Sequence, residues 1–166
     1  YSDVEHDVIN QSLKSPKHLY TCPWVIENKA MSVNFVDREG IAFLGGYSHL
    51  PNIEAFEFFV NDVLPMLIEN NPGFKIYFYG SNMPEYFKKY ESKHVILVGY
   101  IKSLDDLFKQ HRVFIAPLLS GAGIKGKVLE AASYGLPSVL SPIAVEATGI
   151  EHEVNGLIAR TPKEWV

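Results

Sequence analysis

Apolar residues in this chain fall into short blocks, each closed by glycine or a turn. Residues 41–44 (Ile-Ala-Phe-Leu) stop at Gly45-Gly46, residues 74–79 at Gly80, and residues 94–98 at Gly99. Residues 112–116 lead into Pro117. Blocks of this length, rich in Val, Ile, Phe and Tyr, predict strands buried on both faces. Two further short strands are expected at 138–140 and 156–159. Between the first two blocks, Phe56, Phe59, Val60, Val63, Leu64 and Leu67 recur at helical spacing. That helix is expected to start near Pro51-Asn52 with Asn52 as its cap, to kink at Pro65, and to stop at residues 70–73. Shorter helices are expected over 83–90 and 104–108. A longer one over 124–134 is ended by Gly135 and followed by Pro137. Alternation of strand and helix predicts an α/β fold, a parallel sheet with helices on both faces.

Residues 1–40 break this rhythm. The pattern suggests a short helix over 3–13, a strand over 17–24 ending at Pro23, and a polar linker over 27–40. The chain has 166 residues, 47% hydrophobic and 20% charged, which suits one domain with an extension and excludes general disorder. A formal net charge of -4 argues against a nucleic-acid binder. The single cysteine, Cys22, offers no disulfide framework, and the six histidines show no metal-ligand spacing. The longest apolar run, residues 113–119, is too short to span a bilayer, and the polar, acidic start does not resemble a signal peptide. A cytoplasmic protein is expected. The absence of an initiator methionine suggests a fragment.

In parallel α/β sheets, ligands bind beyond the carboxyl ends of the strands. The segment there with the most chemistry follows the fourth block: Ser120-Gly121-Ala122-Gly123-Ile124-Lys125-Gly126-Lys127-Val128-Leu129-Glu130. Gly121 and Gly123 allow close backbone approach, and a helix opens just beyond them with free N–H groups. Lys125 and Lys127 add positive charge, and no Asp or Glu lies between Leu107 and Leu129. Singly, these features describe a tight turn, a solvated face and a helix glutamate paired with a lysine. Together, at a strand end, they describe a diphosphate site. Glu130, further along the helix, suits a ribose diol. Gly45, Gly46 and His49 close the first strand and form a second candidate phosphate contact. Residues 121–126 also fit G-x-G-x-x-G, but the match follows the fourth strand and the next strand ends at Ser141, not at an acid. It is read as a chance match. No Gly-x-Ser-x-Gly elbow supports a serine hydrolase.

From Ile41 onward the chain resembles the C-terminal domain of group 1 (family 4) glycosyltransferases of the GT-B fold. The residues that carry the resemblance are 43–52, Ala116-Pro117, the block 121–131, and Gly135-Leu136-Pro137-Ser138-Val139. It implies one Rossmann-like half of a GT-B enzyme, with residues 1–40 as the tail of an acceptor domain plus linker and 41–166 as a donor domain truncated at its C-terminus. It implies retaining transfer of a sugar from a UDP-, GDP- or ADP-sugar to a glycan or lipid-linked acceptor held by an N-terminal domain, with no other cofactor. Peripheral attachment to a membrane stays open on the same ground.

By that resemblance Lys125 or Lys127 neutralises the leaving diphosphate, Gly121 and Gly123 donate backbone N–H groups, Glu130 holds the ribose, and the backbone at Ile101 meets the base. The donor-binding set is then Gly45, Gly46, His49, Ile101, Gly121, Ala122, Gly123, Ile124 and Glu130. Two positions depart from the family pattern. Ala122 stands where the first glutamate of E-x7-E is expected, and Gly46-Tyr47 and His49 stand where relatives carry an arginine and a lysine. The alternatives are a GT-B-fold epimerase or phosphorylase, a nucleotide-binding domain without catalysis and, more distantly, a dehydrogenase.

Overall fold

A computed structural model describes residues 3–13, 19–29 and 33–166. Six strands form one sheet: β1 (Ile41–Leu44), β2 (Ile76–Tyr79), β3 (Val95–Gly99), β4 (Val113–Ala116), β5 (Ser138–Leu140) and β6 (Leu157–Ile158). Their order is β3-β2-β1-β4-β5-β6, and every pairing is parallel. This is the doubly wound, Rossmann-like arrangement. All six expected strands are present, with ends shifted by one or two residues.

The register sorts the side chains onto two faces. Phe43 pairs with Phe78, while Ala42 pairs with Tyr77 on one side and Phe114 on the other. On the first face Phe78 meets Phe43, Phe56 and Phe59, and Phe56 stacks on Phe87 with centroids 3.7 Å apart. On the second face Phe114 packs against Phe108, which stacks on Tyr134. Tyr79 donates to or accepts from the buried His111 ring at 2.7 Å on that face.

The helix after β1 opens at Leu50, as α2 (Leu50–Phe58). Its N-cap position is His49, with no side-chain cap, so Asn52 does not cap it; Asn52 lies buried inside the first turn. Pro65 produces no sharp break. A π-helical turn over Phe59–Val63 precedes it, with the Leu64 N–H reaching back to the Phe59 carbonyl, and α3 (Leu64–Asn70) continues. The wider turn absorbs the missing donor of the proline. The stretch over 83–90 is a 3-10 helix over Glu85–Tyr90. Helix α4 (Leu104–Gln110) leads to β4.

Helix α5 (Gly126–Ser133) starts two residues later than its apolar pattern suggests. It ends in a Schellman motif, where Gly135 has φ +65° and donates to Ala132 O at 2.9 Å while Leu136 donates to Ala131 O at 3.1 Å. A short helix α6 (Pro142–Val145), capped by the Ser141 side chain, and a 3-10 turn over Pro162–Trp165 were not legible in the pattern. Trp165 meets Phe59 edge-on.

At the N-terminus α1 spans Asp3–Ser12. Of the strand expected over 17–24, residues 17 and 18 lie outside the described residues, and 19–24 have no regular structure. Of the linker, 30–32 lie outside them, and Phe35–Asp37 form a 3-10 turn. Among the described residues no helix is long and apolar enough to cross a membrane.

Phe56→Ala removes a fully buried ring that three aromatic partners, Phe78, Phe87 and Tyr90, surround. It should cost about 3–5 kcal/mol in urea unfolding. Gly80→Ala should be at least as damaging, because its Cβ would lie 1.6 Å from the Gly45 carbonyl oxygen at φ +137°. A Gly80→Ala protein with the wild-type unfolding midpoint would contradict this packing.

Candidate functional site

Strands β1 and β4 are neighbours, yet the chain leaves them on opposite faces of the sheet. Such a switch point opens a crevice between the two exit loops. Gly45, Gly46 and Tyr47 leave β1; residues 117–125 leave β4. The two loops converge. A Cβ on Gly121 would come 3.8 Å from Pro51 at the start of α2, and Ser120 Oγ donates to Glu54 of α2 at 2.5 Å. Gly121 (φ +120°) and Gly123 (φ +73°) bend the chain in the left-handed region, where a side chain is strained. The bend then delivers Lys125 to the N-cap position of α5.

The two lysine ammonium groups flank the crevice, Lys125 at the bend and Lys127 beside Asn52 of α2 and the Phe43 ring of β1. Lys125 is 8% exposed, and its Nζ donates to the Gly123 carbonyl at 2.6 Å. Lys127 Nζ donates to Asn52 Oδ1 at 2.5 Å and sits 4.5 Å from the Phe43 ring centroid. Asn52 Nδ2 in turn donates to the Gly46 carbonyl at 2.8 Å. Burial lowers the Lys127 ammonium from 10.5 to about 7. Its partners, an amide oxygen and a ring face, do little to offset that loss of hydration.

Charge at the bend is less one-sided than the local sequence suggests. Glu146, from the loop after α6, approaches Lys125 Nζ at 3.3 Å. Glu5 of α1 brings a carboxylate oxygen within 3.3 Å of where a Gly123 Cβ would stand. Both acids are distant in sequence, so residues 107–129 by themselves carry no sign of them. Neighbouring Ala147 has φ +58°, an uncommon value for a non-glycine residue.

Glu130 is half-buried and already engaged. Lys29 Nζ donates to its Oε1 at 2.6 Å and lies 5.0 Å from the Tyr134 ring centroid, while the Lys29 N–H donates to Ser133 O. With side chains 36% and 24% exposed, solvent screens this pair and it contributes little to stability. Its effect is to fix the carboxylate. The Trp24 ring lies against Gly126, where a Cβ would stand 3.1 Å away.

A second part of the crevice, about 200 Å³, brings together Gly45, Gly46, Gly80, Ser81, Tyr100 and Ile101 at the carboxyl ends of β1, β2 and β3. His49 is exposed, with its ring 3.8 Å from a virtual Gly46 Cβ. Ala122 is exposed and Ile124 half-buried on the bend. The structure thus brings Gly45, Gly46 and Ile101 into one cleft and sets Gly121 opposite Pro51, while the Glu130 carboxylate meets Lys29. It adds Lys29 and Glu146, for which the sequence carried no periodic or motif signal, and gives Asn52, expected only as a helix cap, a partner in Lys127. A larger cleft, about 610 Å³, lies at the opposite ends of β4 and β5 around Val113, Pro137 and Ser138, and no lysine or arginine lines it. Among the described residues no group of three or more His, Cys, Asp or Glu could hold a metal ion.

This chain belongs to the glycosyltransferase group 1 family, whose profile (Glycosyl transferases group 1) matches residues 38–166. A curated relative, an uncharacterized 44.6 kDa protein in the cps region of Klebsiella pneumoniae, is 29% identical over 128 residues, covering 72% of this chain and 33% of the relative. The chain therefore spans about a third of the length of that relative. Among solved structures, TarM superposes with a TM-score of 0.78 at 15% identity, over 96% of this chain and 32% of TarM. Alr3699/HepE of Anabaena, solved in complex with UDP and glucose, gives 0.60 at 12% identity, over 99% of this chain and 40% of that one. The common ground with both structures is the Rossmann-like fold of GT-B glycosyltransferases.

The unfolded chain keeps the Lys127 proton up to about pH 10.5, whereas the folded chain releases it near 7. Between those values the unfolded state binds more protons, so this group makes folding more favourable as pH rises from 7 to 10.5. Lys127→Met should therefore stabilise most at and below pH 7, with the gain shrinking toward pH 10. Urea titrations of both proteins at pH 7 and pH 10 measure it, and a difference independent of pH would refute the assignment.

Proposed function

We propose that this chain is the donor-binding half of a retaining glycosyltransferase, residues 41–166 forming the donor domain and residues 1–40 the tail of an acceptor domain with its linker. The observation that carries this reading is the placement of Lys125 Nζ on the glycine bend after β4 and of Lys127 Nζ beside Asn52, which bonds the Gly46 turn after β1, at the β1–β4 switch point. A diphosphate meets there the N–H groups that open α5, and Lys125 and Lys127 supply charge. Gly121 and Gly123 offer backbone donors, with Ala122 and Ile124 completing the bend. Glu130, oriented by Lys29, accepts from the ribose hydroxyls. The base enters the cleft at Gly46 and Ile101, and His49 stands at its rim. The complex of the HepE neighbour with UDP and glucose supports a nucleotide-sugar ligand; the retaining outcome rests on the family resemblance.

In the transfer, the bond from the anomeric carbon to the phosphate oxygen breaks and its electron pair stays on the diphosphate. The acceptor oxygen forms the new bond and gives up its proton. Charge grows on the leaving group as the bond lengthens, so fixed cations stabilise the transition state more than the ground state. The acceptor, a glycan or lipid-linked sugar, belongs to the N-terminal domain of the whole protein, and a cytoplasmic location with peripheral membrane attachment fits such an acceptor. A second reading, a nucleotide-binding domain without transfer, is favoured by Ala122, which leaves the bend without the carboxylate of the family pattern.

Lys125→Ala and Lys127→Ala should each weaken UDP or GDP binding by tenfold or more in calorimetric titration, and lower turnover in the full-length enzyme. Unchanged binding in both would remove the basis for the proposal. Wild-type affinity should also fall as pH rises above 7, by at most about tenfold per unit, because the anion favours the charged Lys127. Titrations in buffers of different ionisation enthalpy should register proton uptake. Donor hydrolysis by the full-length enzyme separates transfer from binding alone.

A further inference from the structure

We propose that Asn52 is a positioning residue of the diphosphate subsite: its side-chain amide grips the Lys127 ammonium at one end and the Gly45–Gly46 turn at the other, so that cation and turn meet an anion as one preassembled unit. This rests on the reading of Lys127 as a diphosphate contact.

Three observations carry it. First, the hydrogen bonds need a side chain that both accepts and donates, as the Asn52 amide does. Lys127 Nζ can only donate and the Gly46 carbonyl can only accept, so the residue between them must accept at one atom and donate at the other. A carboxylate, a hydrocarbon or a methyl group cannot do both. Second, the space is shaped for this side chain. Asn52 is 8% exposed, and a Cβ on Gly45 would stand 2.9 Å from its Cγ and 3.0 Å from its Cβ. Gly45 therefore leaves room for Asn52 as well as for a ligand. Third, the partner is neutral. An amide oxygen fixes the ammonium without cancelling its charge, and the Phe43 ring covers another side. One of three N–H donors is spent on Asn52, leaving the others for an anion. The contrast is Lys125, which faces the carboxylate of Glu146.

Lys127, in the first turn of α5, and the Gly46 turn after β1 come from different elements, and Asn52 joins them across the crevice. Holding both in place before the ligand arrives lowers the ordering cost of binding.

The test uses this 166-residue chain with UDP and uridine as probes, followed by NMR, and with lysine side-chain resonances observed across pH. Asn52→Asp keeps the shape, places a negative charge beside Lys127 and removes the donor to Gly46. It should lower UDP affinity at least tenfold and leave uridine binding within twofold, and it should raise the titration midpoint of Lys127. If Asn52→Asp does not fold, Asn52→Ala removes both hydrogen bonds without adding charge and should give the same selective loss. The proposal is overturned if UDP affinity and the Lys127 midpoint stay unchanged in the variant while Lys127→Ala loses UDP. If Lys127→Ala itself binds UDP like wild type, the underlying reading of Lys127 falls, and this inference with it.

Discussion

The β1–β4 pairing is the constraint on which this structure turns. Ile41 and Ala42 lie in register with Val113 and Phe114, although some seventy residues separate them in the chain. That pairing puts two loops of unrelated sequence side by side at the carboxyl end of the sheet. Because one loop feeds α2 and the other α5, helices on opposite faces, neither helix can close over the gap. A crevice lined by backbone N–H groups and glycines is the geometric result.

Polar chemistry in that crevice is built across elements rather than within one. The bend at 121–123 supplies backbone, α5 supplies Lys127 and Glu130, α2 supplies Asn52, and the segment before the sheet supplies Lys29. Each charged group has a partner from elsewhere in the chain: Lys125 with Glu146, Lys127 with Asn52, Glu130 with Lys29. The partners differ in kind. A carboxylate beside Lys125 offsets its charge, whereas an amide beside Lys127 leaves the charge intact but poorly hydrated. The two lysines therefore differ in surroundings, and burial holds the Lys127 ammonium well below the usual lysine range.

The aromatic packing beneath explains why these positions hold. Phe43 lies under the Lys127 ammonium and in register with Phe78, which anchors Phe56 and Phe59. The same rings that fix the slope of α2 against the sheet thus fix where Asn52 stands. The π-helical turn ahead of Pro65 lets that helical segment run on to Asn70 without losing this contact. Site and core share one framework on the first face of the sheet.

Sequence alone determined the strands, a helix expected over 124–134 with its Gly135 stop, and the parallel α/β class, because short apolar blocks and glycine closures are local signals. It also marked the bend with its two lysines, since glycines and cations are adjacent there. It misplaced Asn52 as a cap, because a residue in the first turn of a helix looks alike whether it bonds its own backbone or reaches another loop. Glu146, Glu5 and Lys29 were equally hidden, as no spacing rule links residues 21, 118 and 101 positions from their counterparts. Only the tertiary structure decided which charges stand opposed and which stand free, because electrostatic partners are set by distance in space, and that distance is fixed by how strands pair across the sheet.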